Sequence, residues 1–244
     1  MKWGAIFDWD GVIIDSSTHH EESWERLAAE TGHLLPAGHF KRGFGMKNER
    51  IIPGLLGWSS DPDEIHRLSL RKEELYREIV REWGIAPLPG VVTWLDRLHD
   101  RGIPCAIGSS THRLNIDTGL SILGFGERFA AVVTAEDVRN GKPDPEVFLT
   151  AAARIGVPPE RCVVFEDALV GIEAAHRGGM QVVAVATTNP IDRLETADVA
   201  VHRLDELTVE QLASRLASNP EKSRKSRSDN LIAAKSRADH PATS

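Results

Sequence analysis

The stretch Ile6-Phe-Asp-Trp-Asp-Gly-Val-Ile-Ile-Asp15 governs how the rest of the chain is read. It opens inside an apolar run, Trp3 to Phe7, that fits a short buried strand. The run ends in two aspartates, Asp8 and Asp10, spaced i, i+2 and followed by Gly11. In an open parallel sheet, ligands gather beyond the carboxyl ends of the strands. Two carboxylates this close repel each other, so ionising both is unfavourable without a cation. A hard divalent ion such as Mg²⁺ resolves that conflict. Gly11 permits the tight turn needed just past the strand, and Trp9 is expected to pack beneath the two acids. Taken alone, the same residues also fit a polar loop with an Asp turn and an N-cap.

Working outward, similar apolar runs recur after residue 85: Pro104 to Gly108, Ala131 to Thr134, Cys162 to Phe165, Val182 to Ala186 and Val199 to Val201. They lack polar alternation, as strands buried on both faces do, and helical patterns lie between them. The fold class expected is therefore α/β, a parallel sheet wrapped by helices. Some helix boundaries are legible. Asp144 before Pro145 reads as an N-cap before a first-turn proline, with Gly156 as the stop. Thr18 with Glu21 reads as a capping box, with Gly32 as the stop.

Between about residues 16 and 84 no good strand candidate occurs, and helical stretches dominate, notably Glu64 to Trp83. This predicts an all-helical insertion over 16–85, with the main domain formed by 1–15 and 86–218. Pro87-Leu-Pro-Gly90 is a stiff return point. From Asn219 to Ser244 the composition shifts to Ser, Lys, Arg and Asp, with six basic and three acidic residues. It reads as a disordered basic tail.

The 244 residues carry 29 basic and 36 acidic side chains, for a net charge of −7. That sign argues against a protein that binds nucleic acid by neutralising phosphates. No apolar run approaches the roughly 20 residues of a membrane helix. Met1 leads straight into strand-like residues with no signal-peptide pattern. The two cysteines, Cys105 and Cys162, sit in apolar runs without a CxxC spacing, which fits a reducing cytoplasm rather than a disulfide framework.

Three further strand ends join the first. Ile107-Gly-Ser-Ser-Thr111 ends a strand in hydroxyls before a helical pattern, an arrangement suited to an anion but also to a plain N-cap. Gly141-Lys-Pro-Asp-Pro145 sets Lys142 just before a helix, where it suits a phosphate or simply solvent. Val163-Val-Phe-Glu-Asp-Ala168 ends a strand in Glu166 and Asp167, which suit a metal or a loop. Each element is weak alone. Their order brings a cation site, a nucleophile and a phosphate clamp to one sheet edge.

In that order the motifs resemble the haloacid dehalogenase superfamily of phosphotransferases, over roughly residues 3 to 200. The helical insertion and the stretch Gly171-Ile-Glu-Ala-Ala-His-Arg-Gly-Gly-Met180 are similar to the subgroup of β-phosphoglucomutase and sugar-phosphate phosphatases, which has a Rossmann-like core and a small helical cap. The resemblance implies that Asp8 is the nucleophile and Asp10 the general acid and base. It implies Mg²⁺ held by Asp8, the backbone carbonyl of Asp10, and Asp167, with Glu166 nearby. It implies that Ser109, Ser110 and Lys142 hold the phosphoryl group. True dehalogenases of the superfamily lack the second aspartate and the acid pair, so the expected reaction is phosphoryl transfer.

The resemblance leaves open what accepts the phosphoryl group. His20 and Trp24 in the first cap helix, and Lys72 with Tyr76, match a β-phosphoglucomutase. The segment Gly45-Met-Lys-Asn-Glu49 departs from it, with Asn48 where the mutase carries a phosphate-gripping arginine. A mutase must hold a bisphosphate at both ends, so this departure favours a phosphatase. The mutase and a catalytically inactive phosphate-binding relative are the alternatives, although none of the catalytic residues is missing. The candidate substrate contacts are His20, Lys47, Asn48, Lys72, His112 and Arg113. The expected partner is a small-molecule phosphate ester, with no nucleic acid or membrane, and the expected state is a cytoplasmic monomer. Trp58 and Trp83 are expected to serve packing.

Overall fold

The computed structural model of the chain describes residues 3–43 and 46–218. The basic segment 219–244 and Gly45 lie outside the described residues. The chain falls into two compact units. One runs to Ile14, resumes over Pro87–Arg113 and continues from Phe125. The other comprises Asp15–Ala86 and Leu114–Gly124.

In the first unit the apolar runs pair as six strands: β1 (Gly4–Phe7), β2 (Cys105–Gly108), β3 (Ala131–Val133), β4 (Cys162–Glu166), β5 (Gln181–Val185) and β6 (Val199–Val201). All pairings are parallel, in the order β3-β2-β1-β4-β5-β6. This is a Rossmann-like sheet, and its order reverses direction between β1 and β4, the place where such sheets bind ligands. Successive strand residues face opposite sides. Ile6 and Val164 join a core with Phe148, Ala151 and Ala152 of α7 (Glu146–Arg154) and Ile172 and Ala175 of α8 (Leu169–Arg177). Phe7 and Phe165 alternate to the other face. There they stack at 4.4 Å, and Trp94 of α5 (Val91–Asp100) meets Phe165 edge-on. Burial on both faces explains why the strands read as unbroken apolar runs. Trp94 also donates its indole N–H to the carbonyls of Leu204 and Leu207, ahead of α9 (Val209–Ser218).

The return at Pro87 is fixed to the first strand's exit. Pro87 bridges Ile14, and the Leu88 N–H donates to Ile13 O at 2.8 Å. One helix start differs from expectation. α7 begins at Glu146, with Pro145 in the cap position and Asp144 Oδ1 accepting the Glu146 N–H at 3.0 Å. From just ahead of the cap, the aspartate satisfies the first free donor two residues on, so the helix starts one residue later than the sequence pattern implies.

The second unit has no strand among its described residues. It holds α1 (Ser17–Thr31), the short α2 (His39–Gly43) and α3 (Asn48–Arg50), a π turn over Ile51–Leu56, α4 (Pro62–Trp83), and α6 (Arg113–Leu123) from Leu114 onward. Trp24 and Leu27 of α1, Ile52, and Leu68 and Leu75 of α4 form its core. Asp61 caps α4 by accepting from the Asp63 and Glu64 N–H groups, ahead of Pro62 in the first turn. The expected capping box of Thr18 and Glu21 does not form. Asp15 Oδ1 takes the Ser17 N–H at 3.1 Å, so the helix has already begun at Ser17. Gly32 ends α1 in the left-handed region, as its position suggests.

Phe148 is fully buried, and its ring lies against Gly108, where an added Cβ would meet it at 3.0 Å. Phe148→Ala is expected to destabilise the protein by about 3–5 kcal/mol, measured by urea unfolding. A loss under about 1 kcal/mol would contradict this packing.

Candidate active site

The register of β1 against β4 builds the site. Phe7 pairs with Phe165, and the Asp8 N–H donates to Phe165 O at 2.9 Å, so Asp8 leaves the sheet beside Glu166. The Lys142 ammonium joins them. It donates to Asp8 Oδ1 at 2.8 Å and to Glu166 Oε1 at 2.6 Å, and lies 4.8 Å over the Phe148 ring. The other Glu166 oxygen accepts from the N–H groups of Asp167 and Ala168, both at 2.7 Å. Gly171 is required here, because a Cβ would stand 1.8 Å from Glu166 Oε1. Gly11 is required twice over. Its φ is +78°, and a Cβ would stand 2.1 Å from Asp167 Oδ2.

Asp10 accepts a hydrogen bond from the Thr111 hydroxyl. Ser109 is buried at the end of β2, with its N–H on Val133 O and its hydroxyl oxygen accepting from the Thr111 N–H at 3.3 Å. Ser110 is exposed. Trp9 is fully buried, as its position between the acids suggests.

The electrostatics are unbalanced. Asp8, Glu166 and Asp167 are all buried, and one oxygen from each lies within 4.8 Å of the others. Burial pushes the Asp8 carboxyl up to about 6, against the pull of Lys142 and with the push of Glu166. Burial, followed by Glu166 and Asp8, holds the Asp167 carboxyl well above the usual range. Burial works against the Lys142 charge, but Asp8 and Glu166 outweigh it and hold the ammonium above its ordinary value. One ammonium faces more carboxylates than it can neutralise, and all of the surplus donors are hard oxygens. That donor set fits a hard divalent cation.

The candidate substrate contacts fall into two groups. In the second unit, Lys72, His20 and Asn48 converge on Glu73, a residue the sequence reading did not single out. Lys72 Nζ lies 2.7 Å from His20 Nδ1 and donates to Glu73 Oε1 at 3.1 Å. Asn48 donates to the same oxygen at 2.7 Å and to Ser69, and Asn115 donates to Glu73 Oε2 at 2.5 Å. His20 stacks on Tyr76, and the Lys72 ammonium lies over Trp24 and Tyr76. Lys47 is exposed. In the first unit, His112 pairs with Glu136, and Arg113 donates to Val132 O and Asp137. Trp58 packs on the core of the second unit and donates to Leu34 O, whereas Trp83 is half exposed.

Three other residues escaped the sequence reading. Thr111 lies inside the hydroxyl run beside the two serines. Thr188 and Asn189 follow β5, the neighbour of β4, and both bond to Asp167. A polar run directly after a buried strand was the available signal.

The family model of haloacid dehalogenase-like hydrolases matches residues 4–179. The chain belongs to that family. It is 34% identical over 182 residues to the fructose-1-phosphate phosphatase YqaB of Escherichia coli, covering 75% of this chain and 95% of that protein. It is 41% identical over 209 residues to a chloroplastic 5-amino-6-(5-phospho-D-ribitylamino)uracil phosphatase of Arabidopsis thaliana. That match takes in 84% of this chain but spans only 56% of the relative's length. Among solved structures, a β-phosphoglucomutase of Clostridium difficile superposes with a TM-score of 0.78 at 27% identity, over 89% of this chain and 98% of that one. The chain is thus a hydrolase of this family, in the phosphoric monoester class of the two phosphatases named.

Burial works to raise the Glu73 carboxyl, but Lys72, His20 and the two asparagine amides outweigh it and hold the group well below its usual value of 4.5. A depressed carboxyl contributes stability above its unfolded-state pKa and loses it as pH falls. Glu73→Gln leaves the buried Lys72 ammonium without its counter-charge, and is expected to cost about 3 kcal/mol at pH 7. The gap between wild type and variant should shrink below about pH 4.5 in urea unfolding. A gap independent of pH would contradict a charged Glu73.

Proposed function

We propose that this hydrolase is a Mg²⁺-dependent phosphatase of a small phosphorylated metabolite, a sugar or polyol phosphate, working through an aspartyl phosphate. The observation that carries the reading is the Lys142 ammonium bonded at once to Asp8 and Glu166, with Asp167 in the same buried cluster. A phosphoryl group entering beside Asp8 would meet a cation already in place, next to a carboxylate able to attack it.

In the proposed reaction, an Asp8 oxygen bonds to phosphorus as the bond to the leaving oxygen breaks. Asp10, oriented by Thr111, gives that oxygen its proton. A water then attacks phosphorus while Asp10 takes its proton, and the bond to Asp8 breaks. Lys142, Ser109 and Ser110 stabilise charge on the transferring group. Asp8, the backbone carbonyl of Asp10, and Asp167 would hold Mg²⁺, with Glu166 nearby. When bound, Mg²⁺ supplies positive charge that offsets the crowded carboxylates and the phosphoryl oxygens. Residues 1–15 and 86–218 act as the catalytic core in this reading, and 16–85 as a cap. His20, Lys47, Asn48 and Lys72 serve in the cap, and His112 and Arg113 in the core. The enzyme is read as a cytoplasmic monomer, and its two free, buried cysteines suit a reducing compartment. Among the described residues, no helix is long and apolar enough to cross a membrane.

A phosphatase is preferred to a mutase because the Asn48 amide is already engaged by Glu73 and Ser69. It stands where a mutase offers an arginine to a second phosphate. A wild-type protein offered fructose 1-phosphate and the ribitylaminouracil phosphate with Mg²⁺ should release inorganic phosphate from at least one of them. With β-glucose 1-phosphate and a trace of the 1,6-bisphosphate, glucose 6-phosphate forming faster than free phosphate would overturn the preference. Asp8→Asn should lower turnover by about 10³-fold or more, and EDTA should stop it reversibly. Asp10→Ala should slow turnover by about 10²–10⁴-fold while Mg²⁺ still binds, because the metal contact assigned to Asp10 is its backbone.

A further inference from the structure

We propose that Thr188, supported by Asn189 and Thr187, is a positioning residue that fixes the Asp167 carboxylate for a divalent cation. The proposal rests on the Mg²⁺ reading above and extends it to the loop after β5.

The hydrogen bonds assign the protons. Thr188 Oγ1 lies 2.5 Å from Asp167 Oδ2 and 3.3 Å from Asp167 O. Asn189 Nδ2 donates to Thr188 Oγ1 at 3.3 Å and to Asp167 O at 3.0 Å. A hydroxyl has a single proton. With Asn189 donating into its oxygen, and also supplying the Asp167 carbonyl, Thr188 gives its proton to the nearer acceptor, Asp167 Oδ2. Thr187 closes the loop onto the first motif. Its hydroxyl donates to Gly11 O at 2.5 Å and lies 3.5 Å from Asp167 Oδ2.

Asp167 Oδ2 is therefore held from two sides. Gly11 stands so close that it admits no Cβ, and Thr188 supplies the hydrogen bond. This leaves Oδ1 as the oxygen for a cation, in a carboxylate that cannot rotate freely. A ligand already oriented loses less freedom when the ion binds, and partners of this kind typically change metal affinity by about 10–100-fold.

The test is calorimetric titration of the full chain with Mg²⁺ alone, with no substrate present. Wild type should bind, Thr188→Val should bind about 10–100-fold more weakly, and Thr188→Ser, which keeps the hydroxyl, should bind like wild type. Asn189→Ala gives a second readout if the valine variant does not fold. It should also weaken Mg²⁺, because it removes the donor that directs the Thr188 proton. Folded Thr188→Val or Asn189→Ala protein that binds Mg²⁺ as wild type does would overturn the positioning role and leave the metal reading intact. A wild type that binds no Mg²⁺ would contradict the metal reading and the positioning role together.

Discussion

One buried ammonium, Lys142, stands between Asp8 and Glu166, with Asp167 in the same cluster. The rest of the first unit can be understood from that contact. Burying carboxylates without matching positive charge is costly: burial first, and then the neighbouring carboxylates, raise Asp8 and Asp167 above their ordinary range. Stability alone would not favour such a cluster, because buried ion groups often do no better than apolar replacements. Its retention makes sense if an incoming divalent cation completes the charge balance.

The sheet satisfies this demand through register and small residues. Parallel pairing of β1 with β4 brings Asp8 and Glu166 out side by side at the point where strand order reverses. Gly11 and Gly171 then let the backbone come within van der Waals reach of Asp167 and Glu166, where any other residue would collide. The buried core beneath, with Phe7 stacked on Phe165 and Phe148 under Lys142, gives these acids a rigid base. Positioning is most of what phosphoryl transfer asks of a protein, so a stiff sheet edge suits the chemistry proposed.

Much of this was legible in the sequence, for physical reasons. Strands buried on both faces read as continuous apolar runs, so all six stood out, within a residue or so at their ends. The acids after β1 and β4 stood out because hydrophobic runs ended in them. Helix starts were less legible, because the capping group can sit on a residue that the simple pattern ignores. Asp15 replaced Thr18 at α1, and the helix after Asp144 began at Glu146 with Pro145 in the cap position. Supporting residues were the hardest to see. Glu73 looked like one more helix acid beside Lys72, and Thr188 like an ordinary loop threonine. Their roles depend on long-range contacts, with Asn48 and Asn115 in one case and Asp167 in the other, which local patterns do not encode.

The most direct test is to trap the phosphorylated protein. Mixing the Mg²⁺-loaded enzyme with ³²P-labelled fructose 1-phosphate and quenching in acid within milliseconds should leave label on the peptide that contains Asp8. The label should be stable to acid and released by hydroxylamine, as an acyl phosphate is, and absent from Asp8→Asn protein. Phosphate release from that substrate with no label on this peptide, or with label on another residue, would contradict the assignment of Asp8 as the nucleophile.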